Sequence, residues 1–311
     1  MKHANNFGFL RLFLAVMVIA GHAPEMVEGN SSGEFLTRIF HTLSLGDVAV
    51  DGFFLISGYL VAGSYLASPS TLNFLTKRIL RIYPGYCVVW FFCMLVVTPL
   101  SGAPLWPFTL VQSVVYIYAM FFLIGCSSPG TFQGLHYHAL NGPLWTIGYE
   151  FRCYLTLALV GFLGLLNRRY LFAAIAVLLV IGYTTCIFTG TILAVHGFVA
   201  SAIFVYPNDF LRLMSLFFWG ACYYLFRKEI TFTPLSAIIC ACWLIECLRF
   251  PDFARFGVTI FGSYILFLSP SRSKNPGCSR SIAVPIFPTV PISTPGPWHP
   301  SSFSTTGISA Q

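Results

Sequence analysis

The chain has 311 residues, of which 57% are hydrophobic and only 9% charged. A soluble domain carries about 25% charged residues, so a water-exposed globule of this length would lack a polar surface, and lipid must cover much of the chain. The net charge of +7 lies in short connectors between apolar runs, with no basic stripe interleaved with stacking aromatics. That pattern excludes nucleic acid as a partner and points to membrane orientation.

A spanning helix needs about 20 mostly apolar residues. Lys2 precedes the first apolar run, as in a signal peptide, but Arg11 interrupts the run and no small-x-small cleavage site precedes Pro24. The reading is an uncleaved first helix over 7–27. Further spans are expected at 43–66, 84–101, 143–166, 170–188, 210–227, 231–249 and 254–269, with weaker segments at 107–124 and 189–206. The expected architecture is an all-α, polytopic transmembrane bundle of about eight to ten spanning helices.

The connectors orient it. Lys77, Arg78 and Arg81 place the 67–83 loop in the cytoplasm, and Glu25, Glu28 and Glu34 place the 24–42 loop outside, so the N-terminus is cytoplasmic. Arg168–Arg169 and Arg227–Lys228 both fall on the inner side when 107–124 and 189–206 do not cross, which the positive-inside rule favours. Most of the ten Cys lie within apolar runs, where Cys acts as a small hydrophobe. No CxxC pair occurs, so no metal site is expected. From Pro270 onward the composition changes abruptly to eight Pro and nine Ser in 42 residues. Residues 270–311 are expected to form a disordered tail, and the abruptness points to a frameshifted or truncated end in place of one or more helices.

Ionisable groups inside spans are costly and therefore informative. Arg11 and His22, eleven residues apart on the first helix, lie about 20° apart in azimuth and about 16 Å apart along the axis. As a functional pair they supply an anion clamp at one level and a general base at another. The bland alternative is a snorkelling Arg and an interfacial His. Asp47 and Asp51 share a helix face, and one of them is placed to orient His22 or Arg11. The alternative is a carboxylate at headgroup level. Lys77, Arg78 and Arg81 form a phosphate-binding group or a lipid anchor. Glu150, about two turns into the helix opened by Pro143, is placed to pair with Arg152 or another buried cation. Glu246 and His196 carry no assigned role.

Four stretches occur in order: FGFLRLFLAVMVIAGH, DVAVDGFFLISGYL, RILRIYP and GPLWTIGYE. Together they resemble the acyltransferase-3 membrane family, which includes bacterial O-acetyltransferases of surface polysaccharides and other glycans. The resemblance covers roughly residues 7–269. It rests on the Arg-x10-His spacing of Arg11 and His22, the run 51–59, Arg78 with Arg81, and Trp145 with Glu150. It implies an integral protein of the bacterial inner membrane that uses acyl-coenzyme A, chiefly acetyl-coenzyme A, as donor and a glycan or lipid-linked sugar as acceptor. Lys77, Arg78 and Arg81 would lie near the donor phosphates. His22 would act as base and Arg11 would hold an anionic part of the donor, with Asp51 and Glu150 completing the catalytic candidates. Family members continue with a further helix that nothing after Leu268 matches. The residues alone leave two other readings, a transporter or flippase-like protein and an inactive remnant.

Overall fold

In the computed structural model, described for residues 7–103, 109–137, 139–193 and 205–271, every regular element is helical. These residues belong to one compact unit, 1–275. The expectations for a disordered tail and for a non-crossing 189–206 lie, from 272 onward and across 194–204, outside the described residues.

The first helix, α1, runs Phe7–Glu28 and keeps Pro24 inside it. A short helix, α2 (Phe35–Phe40), follows, capped by the buried Glu34 carboxylate on the Thr37 amide. Helix α3 (Leu45–Leu66) opens on a capping box in which Ser44 and Asp47 satisfy each other's backbone amides. Helix α4 (Thr71–Phe92) starts at the Ser70 cap and continues through a π turn, Cys93–Val97, to Leu100. The 67–83 loop and the 84–101 span of the sequence reading are therefore parts of one helix. Pro84 suits a helix start, but here it sits mid-helix, and the cap lies fourteen residues earlier.

Next come α5 (Leu110–Phe121), α6 (Leu144–Phe162), α7 (Arg169–Thr189), α8 (Pro207–Leu225) and α9 (Pro234–Leu248). The last two described helices, α10 (Pro251–Gly257) and α11 (Ser263–Ser271), are joined by a π turn, Val258–Gly262. Proline at the first turn of α8, α9 and α10 removes an amide that would have no partner there. Among the described residues, four stretches are long and apolar enough to cross a membrane: Phe7–Glu28, Leu45–Leu66, Thr71–Leu100 and Arg169–Thr189.

Helix α3 is the hub. A methyl group on Gly58 would lie 1.8 Å from the Phe217 carbonyl oxygen, and one on Gly220 would lie 2.0 Å from that of Leu55. Glycine thus lets α3 and α8 approach backbone to backbone, as membrane helices do where small residues meet. Gly21 does the same for α1 against Gly46. Leu55, Ile56, Leu157, Leu213 and Phe217 fill the centre, and Phe172 stacks on Phe218 at 5.0 Å. Phe9, Leu12, Val16 and Ile19 on α1, with Leu178 on α7 and Ile238 on α9, point outward as a lipid-facing surface requires.

Ring contacts set the helix directions. Phe7, at the start of α1, meets Tyr59 on α3 and Phe267 on α11, while Tyr224 at the end of α8 also meets Tyr59. Arg78 bonds Ser64, and Arg169 pairs with Glu229. Lys77, Arg78, Arg81, Arg168–Arg169 and Arg227–Lys228 accordingly collect at one end of the bundle. At the other end, Thr42 donates to the Leu248 carbonyl and Asn208 bonds both Thr191 and Leu193.

Helix α5 enters beside α4 from that second end, with Tyr116 against Trp90. It stops mid-bundle, where the chain turns back. Tyr83 and Tyr86 donate to the carbonyls of Phe121 and Ile124, and Arg152 donates to Phe122. Non-helical backbone at membrane depth needs such internal partners. Gly58→Val is expected to abolish a monodisperse, detergent-soluble species, because the α3–α8 contact has no room for a side chain. Size-exclusion profiles of the tagged protein check this against Gly85→Ala, whose added methyl group meets nothing within 4 Å.

Candidate functional site

Polar groups gather at two levels of the bundle. At the first, Ser57 Oγ on α3 accepts from Arg11 Nη2 at 3.5 Å and donates to Glu150 Oε1 at 3.2 Å. Tyr154 donates to the same carboxylate oxygen. The Arg78 guanidinium lies over the rings of Phe74 and Tyr154, at 5.2 and 5.4 Å. It also lies within electrostatic range of Glu150, Arg81 and Arg11. Four helices, α1, α3, α4 and α6, thus bring Arg11, Arg78 and Glu150 into one group. Glu150 does not pair with Arg152, which is engaged with the Phe122 carbonyl and lies over the Tyr149 ring. The Nε atoms of Arg11 and Arg78 are buried without a hydrogen-bond acceptor.

The second level holds His22. Its Nδ1 lies 3.1 Å from Glu25 Oε2, one turn further along α1. A carboxylate only accepts, so Nδ1 carries the hydrogen and neutral His22 keeps the Nε2 lone pair. Gly46 leaves space against the imidazole, since a methyl group there would lie 3.6 Å from Cε1. Both side chains are partly exposed.

Asp51 belongs to neither group. Its carboxylate, 1% exposed, faces Arg212 Nε at 3.2 Å and Arg255 Nη1 at 3.6 Å. Asp47 receives Arg255 at 3.1 Å and Arg212 at 4.0 Å, and Asp209 faces Arg212 at 3.6 Å. The Asp expected to orient His22 or Arg11 is instead committed to cations on α8 and α10. Two carboxylates on one face of α3 repel, and two arginines from across the interface answer them.

Several of these partners escaped the sequence reading. Glu25 was read only as one of the acidic residues that place the 24–42 loop outside. Its signal was the three-residue spacing from His22. Arg212 and Arg255 lay inside expected spans and carried the same cost as the residues that were singled out. Among the described residues, no group of three or more His, Cys, Asp or Glu side chains is placed to hold a metal ion.

A family model described as an acyltransferase domain matches residues 5–273. The chain belongs to the acyltransferase-3 family. It is 36% identical over 170 residues to nodulation protein 10 of Rhizobium leguminosarum bv. viciae, covering 51% of this chain and 44% of that protein. It is 29% identical over 158 residues to an O-acetyl transferase of Shigella phage Sf6, covering 50% and 45%. Acyltransferase MdmB of Streptomyces mycarofaciens is 28% identical over 155 residues, covering 48% and 37%. The match thus spans less than half the length of each of these relatives. No solved structure matches. Membership together with the long apolar helices makes this acyltransferase-family chain an integral membrane protein.

The buried ion network yields a stability prediction. Removing one partner of a buried pair leaves an uncompensated charge and costs about 3–5 kcal/mol. Arg212→Met is expected to lower the melting temperature of the solubilised protein, and adding Asp51→Asn is expected to recover part of the loss. Additive losses in the double variant would contradict the pairing.

Proposed function

We propose that this chain moves an acyl group, foremost acetyl, from acyl-coenzyme A to a hydroxyl of a surface glycan, in a bacterial inner membrane with its N-terminus in the cytoplasm. The observation that carries the reading is the His22–Glu25 pair on the same helix face as Arg11, one helix supplying a base and an anion clamp. The collected cations at one end support the orientation. They also suit a polyanionic donor, with Lys77, Arg78 and Arg81 taking its phosphates. Arg11 and Arg78, each with a buried unpaired Nε, hold the donor further in. The long pantetheine arm bridges the distance to His22. Ser57, Tyr154 and Glu150 position the two guanidinium groups.

The transfer is balanced simply. His22 Nε2 takes the proton of the acceptor hydroxyl while its oxygen attacks the thioester carbonyl. The carbon–sulfur bond breaks, and the leaving thiolate receives the proton. Glu25 stabilises the imidazolium formed in between. Asp51, with Arg212 and Arg255, fixes the frame in which α3 presents Gly46 to His22. The acceptor is a glycan or lipid-linked sugar, a reading supported by the name of the phage O-acetyl transferase relative.

The test is acetyl transfer in membranes containing this chain, with labelled acetyl-coenzyme A and a native glycan extract. A positioned base contributes about 10²–10⁴-fold, and His22→Ala is expected to lose that much. Glu25→Gln is expected to lose at least about tenfold, because the imidazolium loses its counter-charge. Transfer by His22→Ala at the unaltered rate would overturn the assignment. Arg81→Ala is expected to raise the half-saturating acetyl-coenzyme A concentration with little change in rate at saturation.

A further inference from the structure

Charge is divided between the two ends of this bundle. The end with Lys77, Arg78, Arg81, Arg168 and Lys228 is basic, and the opposite end carries Glu25, Glu28, Asp47, Asp209 and Asp252. At the acidic end, α7 and α8 enclose a cavity of about 250 Å³. Its walls include Tyr183 and Ile187 from α7, Thr191 and Ile192 from the following turn, and Asn208 and Asp209 from α8. The Asp209 carboxylate is held at 3.6 Å by Arg212, whose guanidinium is itself bound to Asp51 and Asp47. Tyr183 lies within electrostatic range of the same ions. Asn208 is fixed by the Leu193 amide and the Thr191 carbonyl.

This lining is selective. A fixed carboxylate, hydroxyls and an amide beside aliphatic walls suit a neutral ligand rich in hydroxyl donors, whose C–H faces rest on Ile187 and Ile192. The same carboxylate repels a phosphorylated donor, which the basic end attracts. The cavity shares its end of the bundle with His22. Asp209 and His22 are connected through one chain of contacts: Asp209 to Arg212, Arg212 to Asp47, and Asp47 beside the Gly46 that meets the imidazole.

We propose that the cavity between the acidic ends of α7 and α8 is a sugar-binding subsite that holds one unit of the acceptor glycan. This rests on the acyltransferase reading and names where its acceptor binds. Asp209 accepts hydrogen bonds from sugar hydroxyls, and Tyr183 and Thr191 add further polar contacts. Arg212, at 3.6 Å, holds the carboxylate in place.

Two variants test it, Asp209→Asn and Ile192→Trp. The second fills the mouth without removing any hydrogen bond, since Ile192 is 85% exposed. Two readouts on the full chain in detergent keep the claims separate. The first is acetyl transfer to oligosaccharide fragments of the native glycan extract. The second is saturation-transfer NMR of those fragments, with no acetyl-coenzyme A present. The expected result is at least a tenfold rise in half-saturating fragment concentration for both variants, with half-saturating acetyl-coenzyme A unchanged and a matching loss of the NMR signal. Unaltered fragment saturation in both variants, or no NMR signal from the unaltered protein, would overturn the subsite. An Asp209-dependent NMR signal without any transfer would uphold the subsite and overturn the catalytic reading.

Discussion

A charge inside a bilayer persists only beside its counter-charge, and in this protein that constraint centres on Asp51. Its carboxylate is sealed from solvent, and Arg212 and Arg255 close on it from two other helices. The pairing ties α3 to α8 and α10 at the acidic end, while Gly58 and Gly220 bring α3 and α8 into backbone contact further along. Helix α3 is thereby fixed, and α1 seats against it through Gly21 and Gly46. Every functional candidate on α1 inherits its position from that seat.

Much of the frame was legible because apolar runs of spanning length have few alternatives to a helix. Basic pairs in the connectors also carried directional information: Arg169 and Glu229 meet across two connectors at the basic end. Pairing was less legible. Asp47 and Asp51 announce that a cation must exist, but only tertiary contact says that it is Arg212 or Arg255 rather than Arg11. Pro84 misplaced a boundary, since proline is tolerated inside membrane helices whose neighbours hold them in place. The α5 segment stood out by its weaker apolar run and by charge, since its crossing would have put Arg168 and Arg169 at the opposite end. Of the side chains that satisfy its broken end, Arg152 was visible only as a candidate partner for Glu150, and Tyr83 and Tyr86 had no signature in the sequence.

The site has the same mixed character. Arg11 and His22 are readable as a spacing, and Arg78 with Arg81 as another. That Arg11, Ser57, Glu150, Tyr154 and Arg78 form one connected group follows from four helices meeting, which no single segment encodes. The two levels suit two halves of one reaction. The basic end, with unpaired guanidinium nitrogens reaching inward, fits a polyanionic donor. The acidic end, with an imidazole held by a carboxylate, fits a hydroxyl acceptor. In the proposed reaction, a transfer between them would move the acyl group along α1 without moving the donor or the acceptor across the membrane.

That directional claim is tested most directly in sealed membrane vesicles of opposite, defined orientation, both supplied with labelled acetyl-coenzyme A outside and loaded with the native glycan extract inside. The account predicts labelled glycan only where the basic end faces the added donor. Equal labelling in both orientations, or labelling only where the acidic end faces the donor, would contradict it.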